Sequence, residues 1–244
     1  MFPFLKTKYF LKDLLPENYI DIHNHLLPGI DDGAKTVLET TQLIAHMKEL
    51  KIHKSIATPH TFNQKWDNTS QTIKTAFEFA TEDKVNNAFL KNYASEYMLD
   101  AFLIKKMQEE RLLCIHENYL LIEFPLLSSP FKLYEMLFEI KLQDYKIILA
   151  HPERYLYLHN SIKKYEQLKD FGVSFQLNLL SLTGYYGKMI QKTALQLLEN
   201  DLYDFTGSDI HSKTEINQFK TVKLQVPNKK QMDRLLLNNS IFLQ

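Results

Sequence analysis

Short apolar runs of strand length alternate along this chain with stretches whose apolar positions recur every three to four residues. From Tyr19 a short apolar strand runs forward and breaks at Pro28-Gly29. Val37, Leu38, Leu43, Ile44, Met47 and Leu50 then predict an amphipathic helix over 36–50. A second strand is expected over 52–57, stopping at Thr58-Pro59-His60, and a long helix over 68–89. Further strands fall at 91–99, 119–124, 146–150, 173–179 and 203–206. The helices that follow them fall at 100–111, 130–142, 161–171, 187–200 and 229–238. Pro130 suits a helix start, where its missing amide is not needed. Seven βα units in succession predict α/β architecture, a parallel sheet closed into a barrel, and no Pro/Gly/Ser-rich linker divides it. We expect one domain over 1–244: an N-terminal arm at 1–18, a barrel at 19–211 and a closing segment at 212–244.

Composition narrows the function more than the fold. Lys+Arg and Asp+Glu both total 29 in 244 residues, so no global charge draws the chain to nucleic acid or to a membrane. The single cysteine, Cys114, excludes an internal disulfide and a thiolate zinc cluster, and suits a reducing compartment. The apolar start at 1–11 is interrupted by Lys6 and Lys8 and followed by Lys12; it reads as an arm packed on the barrel, not a membrane segment. A soluble, cytoplasmic protein without membrane insertion is the expectation.

Polar residues fall in a regular place. His23 and His25, His60, Glu96, Glu123, His151, and Asp209 with His211 all lie at or just after the C-terminal end of a predicted strand. In a barrel those ends converge on one rim, where active sites sit. On a strand, positions two apart face the same way, so His23 and His25 aim at one point, with Asp21 expected on the same face. His46, His53, His116 and His159 fall away from the rim and read as structural. Asp31 and Asp32 are either ligands or turn residues before Gly33. Imidazole and carboxylate without thiolate favour divalent manganese, iron, magnesium or zinc over copper(I) or iron–sulfur centres. Such ions lower the pKa of bound water toward ~7 and so can hold a hydroxide that is nucleophilic at neutral pH.

Arg154, one of three arginines, stands three residues after His151, where a guanidinium can grip phosphate bidentately. A salt bridge to Glu153 or to another group on the barrel rim is the competing reading. Cysteine-dependent phosphatase chemistry needs an arginine six positions after the thiolate, and Cys114 is followed there by Leu120. No Walker-type glycine loop is present. Tyr155, Tyr157, Tyr185 and Tyr186 read equally as an aromatic wall for a phenyl phosphate and as packing.

The His-x-His strand, Thr58-Pro59-His60, the Glu96 strand, the His151-Pro152-Glu153-Arg154-Tyr155 run and Ser208-Asp209-Ile210-His211 together resemble the polymerase-and-histidinol-phosphatase (PHP) superfamily. Within it, residues 21–33 and the His-Pro-Glu-Arg-Tyr run are similar to the metal-dependent protein-tyrosine phosphatases of bacterial capsule and exopolysaccharide operons. The resemblance implies a distorted (β/α)7 barrel with two or three divalent ions, manganese first and iron, magnesium or zinc as alternatives. It implies one ion on His23, His25, Glu96 and Asp209, a second on Glu96, Glu123 and His151, and a third on Asp32, His60 and His211, with Asp31 as the alternative to Asp32. Arg154 and Asp209 become the catalytic candidates. Relatives place a second arginine shortly after the last motif histidine; here Ser212-Lys213-Thr214-Glu215 stands instead, leaving Lys213 to join Arg154 in substrate binding. The implied substrate is a phosphotyrosine protein, a membrane-associated bacterial tyrosine kinase that regulates polysaccharide synthesis or export. A histidinol-phosphatase-type small-molecule phosphomonoesterase is the alternative, and a metal-dependent nuclease a more distant one.

Overall fold

The computed structural model describes residues 8–243. Strand β1 (Tyr9–Phe10) is followed by β2 (Ile20–Asp21), helix α1 (Val37–Lys48), β3 (Lys54–Ala57) and β4 (His60–Thr61). Next come α2 (Ser70–Thr81), α3 (Lys84–Phe89), β5 (Leu90–Tyr93), β6 (Glu96–Met98) and α4 (Ala101–Glu109). The middle alternates β7 (Tyr119–Glu123), α5 (Leu133–Leu142), β8 (Lys146–Ala150), α6 (Ile162–Asp170), β9 (Ser174–Asn178) and α7 (Lys188–Glu199). The chain closes with β10 (Phe205–Gly207), α8 (Lys213–Thr221), β11 (Lys223–Leu224) and α9 (Lys229–Asn238).

Apart from β1 and β11, the strands form parallel sheets, as the alternation predicts, but not one continuous ladder. Six strands run in the order β10-β9-β8-β7-β6-β4, and β2-β3-β5 form a second sheet. The strand expected over 91–99 is two: β5 pairs with β3, whereas β6 pairs with β4 and β7. Pro59 is the local reason for the break, since proline has no amide to give a central ladder. The chain crosses the gap here, because Ala94 N donates to Ala57 O at 2.7 Å and Glu96 N donates to Pro59 O at 3.0 Å. On the other side an isolated parallel bridge joins Asn24 to Ile210, just past β10.

Strands β7 and β8 are buried on both faces through Leu120, Leu121, Ile122, Ile148 and Leu149, the mark of a parallel sheet covered by helices. The helix predicted over 68–89 breaks because Asp83 caps a new one, accepting from Val85 N and Asn86 N at 2.8 and 3.1 Å. Helix α8 had no expected counterpart, although Ser212-x-x-Glu215 is a capping-box pattern: Glu215 Oε2 accepts from Ser212 N at 2.9 Å. The N-terminal arm is described only from residue 8, so its stretch at 1–7 lies outside the described residues. Beyond that point, β1 pairs antiparallel with β11 and Leu11, Leu14 and Leu15 are buried. Among the described residues no helix is long and apolar enough to cross a membrane.

Candidate active site

His23 and His25 lie past the short β2, in extended chain held from both sides. His25 N donates to Ile210 O at 2.9 Å, Asp209 N donates to His23 O at 2.7 Å, and Thr58 N donates to Asn24 O at 3.0 Å. These bonds do the work expected of a longer strand. Both imidazoles reach one place: each Nε2 is 3.3 Å from Asp209 Oδ1, and they lie 3.2 and 3.5 Å from Glu96 Oε2. Behind them, His23 Nδ1 bonds Gln176 Oε1 at 2.8 Å and His25 Nδ1 bonds Asp31 Oδ2 at 2.8 Å. A donor Nδ1–H on each ring leaves the Nε2 lone pair facing the cluster. Glycine is needed beside each ring: a Cβ on Gly33 would fall 1.9 Å from His25 O, and one on Gly207 would fall 2.6 Å from His23 Cβ.

Asp21 does not share that face. Its carboxylate accepts from Ser208 N at 2.8 Å, Ser208 Oγ at 2.6 Å and Asn24 Nδ2 at 3.0 Å, locking β2 to the end of β10. Burial pushes its pKa up to about 6. The face is lost because regular pleating ends at Asp21, and the period-two rule holds only within a pleated strand.

The adjacent aspartates separate cleanly. Asp31 points inward, accepting from His25, from Gly33 N at 2.9 Å and from His60 N at 3.2 Å. Asp32, half exposed, faces His60 Nε2 at 3.5 Å and His211 Nε2 at 3.4 Å. His60 looks both ways, with Nδ1 at 3.0 Å from Glu96 Oε2 and 3.1 Å from Glu123 Oε1. His151 Nε2 meets the other Glu96 oxygen at 2.9 Å. Glu215 Oε2 also accepts from His211 N at 2.6 Å, so the cap of α8 holds that histidine's backbone. His151 (φ 35°) and Asp209 (φ 52°) both sit in the left-handed region. Such backbone costs roughly 1–3 kcal/mol and clusters at functional sites.

Three donor groups result: His23, His25, Glu96 and Asp209; His60, Glu96 and Glu123; and His25, Asp32, His60 and His211. They fit divalent ions. His23 Nε2, His25 Nε2, His60 Nδ1 and Glu96 Oε2 are buried without an aligned hydrogen-bond partner, which is costly unless another positive centre supplies it. Charge points the same way. Burial opposes protonation of His23, but Glu96 and Asp209 outweigh it and hold its pKa up at about 10. Burial likewise opposes His211, which Asp32 and Asp209 raise to about 9. A cluster this favourable to protons is favourable to cations, which bind in exchange for them.

Arg154 does not pair with Glu153. Its Nη1 donates to Asp209 Oδ2 at 2.8 Å and its guanidinium lies 4.7 Å over the Tyr186 ring. Glu153 is instead buried, accepting from Asn178 N and Tyr203 Oη. Asn178 Nδ2 also donates to Asp209 Oδ2 at 2.8 Å. A cleft of about 480 Å³ opens over Asp32, His60, Glu123, His151, Asp209 and His211 and includes Arg154. Lys213 is not in it; it lines an adjoining groove with Asp32, Gly33 and His46. The tyrosines divide: Tyr155 is buried and bonds Ala150 O, Tyr157 bonds Pro125 O, and Tyr186 lies under Arg154. Apolar lining comes from Phe62, Trp66, Met98, Leu126 and Leu127. Gln176 and Asn178 were also missed: Asn178 closes β9, the position that marks the other donors, whereas Gln176 lies in the middle of that strand and carries no such mark.

This fold and site define an α/β protein with a candidate multi-ion centre at its strand ends, opening into a cleft that carries an arginine. The chain belongs to the CpsB/CapC family of capsular polysaccharide synthesis, which matches residues 19–242. CapC of Staphylococcus aureus is 29% identical over 198 residues, covering 80% of this chain and 78% of that one. The tyrosine-protein phosphatase YwqE of Bacillus subtilis (strain 168) is 28% identical over 201 residues, covering 79% and 77%. The tyrosine-protein phosphatase CpsB of Streptococcus pneumoniae is 29% identical over 205 residues, covering 79% and 83%. Among solved structures, a chain from the crystal structures of YwqE and CpsB, described as unique metal-dependent tyrosine phosphatases, superposes with a TM-score of 0.78. It is 25% identical and covers 92% of this chain and 93% of its own. The resemblance drawn from the motifs therefore holds at the level of the family.

Proposed function

We propose that this chain is a metal-dependent phosphotyrosine-protein phosphatase with its centre at the strand ends. The observation that carries the reading is the sharing of buried Glu96 between two donor groups whose His60, Glu123 and Asp209 line one cleft with Arg154. His23, His25, Glu96 and Asp209 would hold one ion. Glu96 and Glu123, with His151 on the far oxygen of Glu96 and His60 in reach, would hold a second. Asp32, His60 and His211 would hold a third. The bridge between Asn24 and Ile210 and the run from β3 into β4 support treating the two sheets as one distorted (β/α)7 barrel.

Divalent ions, when bound, would supply Lewis acidity toward phosphoryl oxygens and lower the pKa of water toward neutrality; the donors suit manganese, iron, magnesium or zinc, and the family resemblance puts manganese first. The chain's own residues do the rest. Gln176 and Asp31 hold His23 and His25 in the ligating tautomer. Arg154 carries a fixed positive charge to the cleft, its pKa raised because Asp209 outweighs the cost of burial. A charge fixed in advance stabilises the developing phosphoryl charge without reorganisation. Tyr186 and Asn178 steady that pair from below. The apolar lining suits a phenyl ring. Cys114 takes no part: burial pushes its thiol up to about 11 and it does not line the cleft.

Family membership in capsule synthesis supports a phosphotyrosine protein of the polysaccharide machinery as substrate, a membrane-associated tyrosine kinase foremost, met in the cytoplasm. Turnover of a phosphotyrosine peptide against histidinol phosphate by the manganese-loaded protein tests this. Preference for the peptide is expected; preference for histidinol phosphate would replace the reading with a small-molecule phosphomonoesterase.

A further inference from the structure

The cleft is rich in negative charge and short of free positive charge. Asp32, Glu123 and Asp209 line it, against two permanently charged cations, Arg154 and Lys65. Arg154 is already bonded to Asp209. Lys65 has no carboxylate within 4.0 Å among the described residues. It is nevertheless held in place, with its ammonium 3.8 Å from the centroid of the Trp66 ring. Trp66 in turn stacks on His60 at 4.5 Å and 8°, one of the candidate ligands. The loop is tied by reciprocal bonds, Phe62 N to Trp66 O at 3.0 Å and Trp66 N to Phe62 O at 2.8 Å, with Lys65 N to Phe62 O at 3.1 Å. Gln64 takes a left-handed φ of 64° to fold the tip back. An uncommitted ammonium on an aromatic platform, attached through that platform to the donor cluster, is placed for an anion entering the cleft.

We propose that Lys65, seated on Trp66, is the second cation of the cleft and binds the phosphoryl group together with Arg154, a role the family resemblance gave to Lys213. This rests on the reading of the cleft as a phosphate-ester site. Lysine meets phosphate as a movable point charge where arginine meets it as a rigid fork. The division of labour is therefore a fixed Arg154 at the centre and a mobile Lys65 at the mouth, able to leave the indole as phosphate arrives.

Inorganic phosphate binding to the manganese-loaded protein tests the proposal without requiring turnover. Titration calorimetry gives the affinity, and emission of Trp66, the sole tryptophan, reports the platform. Lys65→Met is expected to weaken phosphate about tenfold, with Lys65→Arg restoring most of it, at unchanged metal content. On phosphotyrosine peptide the loss should appear mainly in KM. Wild-type affinity in Lys65→Met would overturn the proposal, as would a wild-type protein that does not bind phosphate, or a loss found in Lys213→Met and not in Lys65→Met. If phosphate binding depends on Lys65 while phosphotyrosine is not turned over, the cation's role stands and the phosphatase reading falls.

Discussion

Asp31→Asn changes one atom in shape and nothing in volume, yet it strikes the site at the tautomer of His25. The carboxylate takes three hydrogen bonds, from His25 Nδ1, His60 N and Gly33 N. An amide has one oxygen. With that oxygen toward His25 and His60, its NH2 opposes the Gly33 amide. With the oxygen toward Gly33, its NH2 opposes the His60 amide and donates to His25 Nδ1, driving the ring proton to Nε2, where no ligand lone pair then remains. Either way a buried donor is left unpaired, at a cost of ~1–3 kcal/mol in stability. Loss of such an orienting group typically weakens metal binding by about 10–100-fold, or ~1.4–2.7 kcal/mol. Asp32→Asn is the matched control, since that side chain is half exposed and faces only His60 and His211. Elemental analysis after equilibration at graded free manganese separates the two. Asp31→Asn should reach the full ion count at higher metal concentration, with a lowered melting temperature. Asp32→Asn should fall one ion short with little change in the apoprotein's melting. The reverse pattern would refute the assignment of the two aspartates.

Other perturbations probe different contacts. Gly207→Ala places a Cβ 2.6 Å from His23 Cβ and 2.7 Å from Gln176 Nε2. It should cost ~1–3 kcal/mol in thermal unfolding and lower bound metal; unchanged melting would show that the strand end yields. Arg154→Lys keeps the charge and loses the fork, and should lower kcat/KM on phosphotyrosine peptide by roughly 10²–10³; a change below threefold would remove Arg154 from phosphate binding. Because burial raises Cys114 to about 11, its reactive thiolate should be scarce at neutral pH and grow as pH rises toward that value. Alkylation by iodoacetamide, followed by mass spectrometry, should be slow at pH 7, and rapid labelling there would contradict the burial.

Much of the site was legible because most donors were announced locally. His60 and His151 adjoin prolines at strand breaks, Glu123 closes an apolar run, and Asp209 and His211 follow β10; Glu96 instead opens β6, ahead of Tyr97 and Met98. What the pattern could not carry were choices made in three dimensions. Asp31 and Asp32 are neighbours in sequence, but the turn sends one inward and one to the mouth. Asp21 kept the spacing of a ligand and lost its face when the strand stopped. Gln176 lies in the middle of β9, where the strand-end rule does not reach, and an amide is not a strong metal donor. Trp66 and Lys65 had no such mark; they reach the cleft only because the loop turns back at Gln64. Among the elements, α8 was signalled by its capping box, whereas the division of residues 91–99 between two sheets depends on which neighbours each half meets.

The bridge between Asn24 and Ile210 has a consequence for how the protein is made. Tyr19 bonds Thr206, Asp21 bonds Ser208 and Ile20 O accepts from Asn239, contacts 187, 187 and 219 residues apart. His25 meets Asp31 locally, but Asp209 and the Ile210 bridge reach the first histidines only with nearly the last residues, and loops of that length close late. A growing chain that ends before Ser208 has the His-x-His segment but lacks the Ser208 lock, the Ile210 bridge and two of the proposed donors. Ion capture at the full centre therefore waits until Asp209 and His211 have emerged and joined the earlier donors, near the end of the chain's synthesis.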